Sequence, residues 1–345
     1  MTPDKKKTQK KRPTAWAVAR LAGVSQTTVS FVLNNRMDVG IPDSTRQTVI
    51  AAAKELGYRP NLAARSLVKG KTNAMGLWIT RLSAMVYFTW VECLQAEVRS
   101  HDYELIISER GGAEIDSHKG YSHAPEWPVD GLFAYGVEEY LDGLPNYIPT
   151  VIFGPYEVKD LDYVGMSLYK AELEAVQHLV SGGRKRIVFL KGTSKDMTPP
   201  EKDERYDAYT EVMEQAGLQN EYFPILGVGR LQAYESMKEY VRSNKLPEAF
   251  VCYNDDIAIG TLRALKESGV RVPEDVALIG CDGLEETDYH QPRISTIVNP
   301  FEEISKIAWE FMENRLNDWS IPRQVAMVDA HFVSRESSSP ISTTR

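Results

Sequence analysis

Short hydrogen-bonding side chains cluster at the start of one predicted helix. We expect Ser25 to cap this helix. Its buried face is predicted to be Val29, Val32 and Leu33. The residues on its first turns and outer face are Gln26, Thr27, Thr28, Ser30 and Phe31. Hydroxyl and amide groups of this kind bond to phosphates and to base edges. The alternative is a three-helix bundle whose exposed threonines have no role.

Two neighbouring helices must hold that segment in place. The first is capped by Thr14 and ended by Gly23. Its apolar stripe is predicted to be Val18, Leu21 and Ala22. A third helix is marked by Pro42 and by a capping box from Ser44 to Gln47. Its buried stripe is predicted to be Val49, Ile50, Ala53 and Leu56. The tight turn between the first two helices is typical of helix-turn-helix motifs, whose second helix enters the major groove of DNA.

The basic residues are concentrated at one end of the chain. Residues 1–71 carry 14 Lys and Arg against 4 Asp and Glu, whereas the remainder carries 26 against 44. Part of this excess lies in a basic tail, residues 1–13. Because the positive end coincides with the predicted helix-turn-helix, we expect it to bind a polyanion.

A long run of this segment resembles a known family. VARLAGVSQTTVSFVLNN, followed by IPDSTRQTVIAAAKELGYRPNLAARSL, is similar to the headpiece and hinge of LacI/GalR-type bacterial repressors over residues 18–67. The resemblance implies that Gln26 and Thr27 read bases. A third reading position falls on Phe31, where the family more often has a polar or basic residue. Phe31 is therefore expected either to face DNA or to pack against the third helix.

The segment after the third helix is a potential hinge of about two helical turns, from Pro60 to Leu67. In the family it resembles, two such helices from a dimer pair in the minor groove. The resemblance implies that Leu67 wedges between base pairs, which kinks the DNA. Burial of Leu67 in a core is the alternative. The hinge residues expected to contact DNA are Asn61, Arg65 and Leu67.

From Asn73 onward, apolar runs alternate with amphipathic helices, one of them near residues 87–100. The runs are GLWIT, YELIIS, DGLFAY, PTVIF, RIVFLKG, AFVCYND and VALIGCD. This alternation predicts an α/β domain with doubly wound parallel sheets. The resemblance implies two lobes like those of periplasmic sugar-binding proteins, with chain crossings near residues 163, 293 and 323. The predicted fold class is thus an all-α helix-turn-helix headpiece followed by an α/β two-lobed periplasmic-binding-protein-like domain.

Ligands of open α/β sheets bind beyond the carboxyl ends of the strands. Tyr87 and Phe88 follow the first strand and are expected either to stack on a sugar or base or to join the core of the next helix. Asn254 and Asp282 follow two later strands. Arg205 matches a family position that contacts effectors. The resemblance implies that Arg205, Asn254 and Asp282 bind the effector, with salt bridging or strand capping as the alternative.

Three departures from the family pattern affect this pocket. Ser167 stands where the family often has an aspartate, and the loop after PTVIF reads Gly154-Pro155. The stretch ERGGAEIDSHKGYSHAPEWP is also unlike the usual connection. We therefore expect either an unusual ligand or loss of the small-molecule response.

No motif indicates an enzyme or a cofactor. The chain lacks a G-x-S-x-G elbow and an H-E-x-x-H helix. Gly70-Lys71-Thr72 would need another glycine five residues earlier to form a phosphate loop, and that position is Arg65. Asp116, His118 and His123 lack a further spaced ligand, so metal binding is not expected.

The cysteines and the apolar runs bear on location. Cys93, Cys252 and Cys281 show no C-x-x-C spacing, so we expect buried thiols instead of disulfides or a zinc site. No apolar run approaches the roughly 18–20 residues of a membrane span, and none follows the basic N-terminus. We expect a soluble, cytoplasmic protein without a membrane partner.

The predicted function is sequence-specific transcription regulation. We expect a homodimer that binds a near-palindromic operator in double-stranded DNA, acts as a repressor, and senses a carbohydrate or related small-molecule effector. The predicted domains are a headpiece (1–57), a hinge and linker (58–72), an effector-binding and dimerisation domain (73–336) and a tail (337–345). The alternatives are a sugar-binding receptor with a vestigial headpiece and a sugar-processing enzyme.

Overall fold

The computed structural model comprises two compact units, divided between Thr72 and Asn73. It describes residues 13–58, 70–79, 85–109, 128–135, 146–154, 157–193, 198–200, 203–227 and 229–340. The helices predicted for the headpiece lie in the first unit, and the strands of both sheets lie in the second.

Three described helices form the first unit. They are α1 (Ala15–Ala22), α2 (Gln26–Leu33) and α3 (Asp43–Leu56). Thr14 Oγ1 accepts a hydrogen bond from the amide of Ala17 at 3.3 Å, and Ser25 Oγ accepts one from the amide of Thr28 at 3.0 Å. Both predicted caps are confirmed, so local sequence determines where α1 and α2 begin.

The core of the first unit is made of small apolar side chains. They are Val18, Ala19, Val29, Val32, Val49, Ala52 and Ala53. The prediction that Leu21 and Ile50 face inward is wrong, because each is 47% exposed. The buried faces of α1 and α3 instead include Ala19 and Ala52, whose small side chains let helices approach closely.

The capping box predicted for α3 is also wrong. The helix begins at Asp43 without a side-chain cap, so Ser44 already lies in the first turn. There the carbonyl of Ser44 accepts a hydrogen bond from Thr48 Oγ1 at 2.9 Å. The negative charge of Asp43 at the start of the helix is favourable to the helix dipole, which gives this end an alternative to a cap.

Arg46 is a charged residue buried in this unit, with 9% of its surface exposed. Its guanidinium donates hydrogen bonds to three backbone carbonyls in the loop between α2 and α3. The acceptors are Arg36 at 2.7 Å, Val39 at 3.2 Å and Ile41 at 3.3 Å. Arg46 therefore fixes the loop that sets α2 against α3.

The second unit contains two six-stranded sheets. The strands are β1 (Ala74–Ile79), β2 (Glu104–Glu109), β3 (Gly131–Tyr135), β4 (Thr150–Gly154), β5 (Asp162–Ser167), β6 (Ile187–Thr193), β7 (Glu221–Leu226), β8 (Ala249–Cys252), β9 (Ala277–Asp282), β10 (Ser295–Val298), β11 (Val325–Asp329) and β12 (His331–Val333). The first sheet has the order β11-β5-β4-β3-β1-β2 and the second β12-β10-β9-β8-β6-β7. All pairs are parallel except β10 with β12, which confirms the predicted doubly wound parallel sheets.

Helices connect these parallel strands. They are α4 (Met85–Ser100), α5 (Tyr169–Ser181), α6 (Glu204–Gln215), α7 (Arg230–Ser243), α8 (Asp255–Glu267) and α9 (Phe301–Asn317). We call the part built on the first sheet lobe 1 and the part built on the second sheet lobe 2.

The chain crosses between the lobes after β5, after β10 and after β11. Each crossing lies several residues later than expected, because the strand first completes its pairing. For example, β5 pairs with β11 as far as Ser167, so the chain leaves the first sheet only beyond that residue.

Apolar clusters pack on both sheets and fix the strand ends in space. Trp78 and Tyr163 are fully buried in lobe 1, and Phe189, Tyr209 and Phe250 are fully buried in lobe 2. These cores hold the loops beyond the carboxyl ends of the strands, where ligands of such sheets bind.

Candidate nucleic-acid interface and ligand cleft

Helix α2 presents a polar face to solvent. Gln26, Thr27 and Ser30 are exposed, whereas Val29 and Val32 on the opposite side are buried. Two of the predicted site residues have a local structural role, since Ser25 and Thr28 bond to each other at the helix start. Ser30 Oγ accepts a hydrogen bond from Asn34 at 3.2 Å. Gln26 and Thr27 thus remain the polar side chains of the first turn that take no part in capping.

Phe31 lies beside this polar face and outside the apolar core of the headpiece. Its ring is partly buried, and the guanidinium of Arg36 lies 5.7 Å from the ring centroid. An aromatic ring and an arginine are therefore adjacent near the end of α2, an arrangement suited to a surface that meets an anionic partner.

The remaining predicted DNA contacts, Asn61, Arg65 and Leu67, lie outside the described residues. The candidate metal ligands Asp116, His118 and His123 lie outside them as well. Within the described part of the chain, no cluster of His, Cys, Asp or Glu has the arrangement of a metal site. No described helix is long and apolar enough to span a membrane.

Arg205, at the start of α6, is held by lobe 2 itself. Its Nη1 donates a hydrogen bond to the Tyr253 carbonyl at 2.9 Å, and its guanidinium carbon lies 3.3 Å from the centroid of the Tyr253 ring. Its Nε lies 3.6 Å from Asp203 Oδ1. The salt-bridge alternative therefore describes Arg205 in this structure, although its guanidinium also reaches the carboxyl end of β8 at Tyr253.

Lys191 completes a charged group around Tyr253. Its ammonium donates to Asp203 Oδ2 at 2.7 Å and lies 4.4 Å from the Tyr253 ring centroid. Burial disfavours ionisation of Asp203, but Arg205 and Lys191 together hold the pKa of its carboxyl below the usual value. Sequence reasoning missed Tyr253, Lys191 and Asp203. Asp203 lies only two residues from Arg205, but Tyr253 lies 48 residues from it, and only the fold brings that ring to the charged group.

Asp282 ends β9, and Asn254 follows β8 by two residues at the start of α8. Asn254 Oδ1 accepts a hydrogen bond from the amide of Ile257 at 2.8 Å, so Asn254 caps α8. Asp282 has a backbone φ of +136°, in a region that favours glycine. Burial and the neighbouring Asp255 carboxylate raise the pKa of Asp282 well above its usual range. The structure thus shows helix capping for Asn254 and an unusual, desolvated carboxyl group for Asp282.

Tyr87 and Phe88 differ in their surroundings. The Tyr87 ring packs edge-on against Tyr135, with centroids 5.2 Å apart, and joins the core of lobe 1. Phe88 is 49% exposed. The core alternative therefore describes Tyr87, while Phe88 leaves an aromatic face open to solvent.

A cavity of about 560 Å³ lies beside Asp282. Its lining combines the end of β9, the segment from β10 into α9, and one side of α4. The lining residues are Thr89, Cys93, Asp282, Gly283, Val298, Asn299, Pro300, Phe301, Glu302, Glu303 and Lys306. Its volume is in the range of small-molecule sites.

Comparison with known proteins identifies the chain. Residues 17–61 match the family described as bacterial regulatory proteins, lacI family, and residues 176–338 match the periplasmic binding protein-like domain. The chain is 30% identical over 331 residues to the HTH-type transcriptional regulator RegA of Clostridium saccharobutylicum, covering 93% of this chain and 97% of that protein. The chain belongs to the LacI/GalR family.

Two further proteins agree with this assignment. The HTH-type transcriptional repressor PurR of Photobacterium profundum is 29% identical over 329 residues, covering 93% of this chain and 97% of that protein. The lac repressor dimer bound to operator and the anti-inducer ONPF is similar in fold, with a TM-score of 0.74 and 21% identity over 95% of this chain and 99% of that chain. The matched relatives are transcriptional regulators, so the enzyme alternative is dropped.

Ser167, at a position where the family often has an aspartate, contacts a carboxylate that comes from another helix of this LacI/GalR regulator. Ser167 Oγ and the Leu168 amide both donate to Glu204 Oε2 at 3.1 Å. Glu204 comes from the first turn of α6 and thus satisfies the start of α5 from a neighbouring helix. No local signal in the sequence could have revealed this contact, because Ser167 and Glu204 are separated by 37 positions.

Proposed function

We propose that this LacI/GalR regulator is a cytoplasmic homodimer that binds a near-palindromic operator and represses transcription. In this proposal residues 1–57 bind DNA, residues 58–72 form the hinge, and residues 73–336 bind a small-molecule effector and form the dimer. A twofold dimer presents two equivalent α2 helices, which explains the expected symmetry of the operator.

The polar face of α2 carries the proposal. Gln26 and Thr27 are exposed on its first turn, and Ser25 and Thr28 order the backbone beneath them. Amide side chains such as that of Gln26 read adenine in the major groove, and threonine can bond to bases or contact a thymine methyl. We assign Gln26, Thr27 and Phe31 to base reading, and Ser25, Thr28 and Ser30 to phosphate contacts.

The hinge and the cleft have supporting roles in the proposal. We assign Asn61, Arg65 and Leu67 to the minor groove by analogy with the LacI/GalR family. One structure of this family is the lac repressor dimer bound to operator. Phe88, Arg205 and Asp282 are assigned to the effector, with Tyr87 and Asn254 supporting the site from the core and from the start of α8. An effector that binds one lobe arrangement better than another would change the population that binds DNA.

Gel retardation of a selected duplex tests the base-reading assignment. The double substitution Gln26→Ala and Thr27→Ala should weaken specific binding by about tenfold or more, while binding to random DNA changes little. Gln47→Ala, an exposed glutamine on α3, is the matched control and should leave both affinities unchanged. Equal weakening on selected and random duplexes would reject base reading by α2.

A further inference from the structure

Arg36 and Asp38 form an ion pair in the loop that follows α2. Arg36 Nε donates a hydrogen bond to Asp38 Oδ1 at 2.7 Å, and Arg36 Nη2 donates one to Asp38 Oδ2. Two parallel hydrogen bonds thus join the guanidinium to the carboxylate, although the side chains are 53% and 59% exposed. Exposed ion pairs contribute little to stability, so stabilisation of the fold gives little reason for this one.

The backbone and an aromatic ring hold Arg36 beside α2. Its amide donates a hydrogen bond to the Phe31 carbonyl at 2.9 Å, and its own carbonyl accepts one from the buried Arg46 at 2.7 Å. Its guanidinium carbon lies 5.7 Å from the centroid of the Phe31 ring. Arg36 is therefore fixed next to a residue that is assigned to base reading.

The ion pair leaves one edge of the guanidinium free. A guanidinium carries five N–H donors in a planar fork. Asp38 takes the donor of Nε and one donor of Nη2, so the edge formed by Nη1 and Nη2 has no partner among the described residues. Two donors on one edge match two acceptors that lie side by side, as O6 and N7 of guanine do in the major groove.

The charge of Asp38 decides which part of DNA this edge can bind. The hydrogen bonds from Arg36 lower the pKa of Asp38 to about 2, so the carboxyl is ionised at neutral pH. This negative charge offsets that of the guanidinium and repels a phosphate that approaches the pair. The edge of guanine is uncharged and can accept both hydrogen bonds without that repulsion.

We propose that Arg36 reads a guanine in the major groove, and that Asp38 and Phe31 are positioning residues that direct its free edge toward that base. The inference rests on the proposed DNA-binding function and adds a base-reading residue outside α2. Because Arg36 lies beside Phe31, its guanine should neighbour the base pair that Phe31 contacts in each half-site. A phosphate contact by Arg36 is the alternative that the experiment must exclude.

The test is selection of bound sequences from a random duplex library by the full-length protein and by Arg36→Lys. Lysine keeps the positive charge but lacks the planar fork that donates two parallel hydrogen bonds. Wild type should enrich guanine at one symmetric position, and Arg36→Lys should lose that preference. When this guanine is replaced in the selected duplex, wild-type affinity should fall by about tenfold or more, whereas Arg36→Lys should bind both duplexes equally.

Asp38→Asn separates orientation from charge. Without the carboxylate the guanidinium is free to meet phosphates, so the guanine preference should weaken while affinity for random DNA rises and depends more steeply on salt. Glu55→Gln is the matched control, because it removes the same charge from an exposed position on α3. The control should retain the guanine preference of the wild type.

Each of three results would overturn the proposal. A guanine preference retained in Arg36→Lys, or equal weakening on all duplexes, would indicate a phosphate contact. A preference unchanged in Asp38→Asn would show that the carboxylate does not orient Arg36. A lower Tm of the headpiece in either variant would make the pair a structural one, whereas the exposure of both side chains predicts an unchanged Tm. Selection of no common sequence by wild type would instead refute the proposed DNA-binding function itself, so the two failures are distinguishable.

Discussion

The headpiece and the cleft of lobe 2 use polar residues in opposite ways. In the headpiece, polar groups on α2 are exposed, and the buried Arg46 bonds only to backbone carbonyls of a nearby loop. In the cleft, charged groups such as Lys191, Asp203 and Arg205 are buried and bond to each other, and Arg205 also bonds to the Tyr253 carbonyl 48 residues away. Residue type and helix face thus reveal function in the headpiece, whereas in the cleft function depends on partners that only the fold brings together.

Removing the headpiece should have the largest effect and should separate DNA binding from ligand binding. A fragment that begins at Asn73 contains the second compact unit and both sheets, but lacks α1, α2 and α3. We expect it to lose specific DNA binding completely and to retain its Tm and its ligand binding. Gel retardation and thermal melting measure the two properties, and a fragment that still binds the operator would show that the headpiece assignment is wrong.

Arg46→Met tests whether the headpiece depends on its buried cation. Because three carbonyl acceptors would lose their donor, we expect the free energy of unfolding of the headpiece to fall by about 3 kcal/mol. DNA binding should weaken accordingly, whereas the melting transition of the second unit should not move. Lys54→Met, at an exposed position on the same helix, is the control and should leave both properties unchanged.

Glu172→Gln tests the burial of an ionisable group in lobe 2 through the pH dependence of the free energy of unfolding. Burial raises the folded-state pKa of Glu172 to about 8, above its ordinary value of 4.5. The associated stability is present below pH 4.5 and is lost as the pH rises toward 8. From pH 5 to 8 the wild-type free energy of unfolding should therefore fall relative to Glu172→Gln by about 1.4 kcal/mol per pH unit. Denaturant titrations at several pH values measure this difference, and parallel pH profiles would contradict the burial of an ionisable group there.

Phe31→Arg should have the smallest effect. The ring lies outside the headpiece core, so the substitution should leave the fold intact. An arginine at this position can bond to guanine, whereas phenylalanine can contact only a thymine methyl. We expect a preference for guanine at one symmetric operator position, worth about 1–3 kcal/mol. Sequence selection with both proteins measures it, and either identical preferences or a melted headpiece would refute base reading by Phe31.

The sequence predicted the headpiece and the strands better than it predicted the cleft. The caps Thr14 and Ser25 were predictable because each acts within three residues of its own position. Seven of the twelve strands, β1, β2, β3, β4, β6, β8 and β9, were predicted from their apolar runs, since most parallel strands are buried on both faces. The inward placement of Leu21 was wrong because helical periodicity alone does not say which residue of a broad apolar face meets the neighbouring helix.

The cleft was less predictable for a physical reason. Arg205 and Asp282 were found by family resemblance and strand position, but their partners were not. Tyr253 contacts Arg205 across 48 residues of chain, and Glu204 reaches Leu168 across 36. Glu172 lies on an otherwise amphipathic helix, where a glutamate normally indicates a solvated face, so only the fold shows that it is buried.

Selection of bound sequences from a random duplex library tests the central claim most directly. The full-length protein should enrich a near-palindromic sequence with two equivalent half-sites, and its affinity for that sequence should fall steeply with salt because the basic headpiece contacts several phosphates. Recovery of no common sequence, or equal enrichment by a fragment that begins at Asn73, would contradict the account.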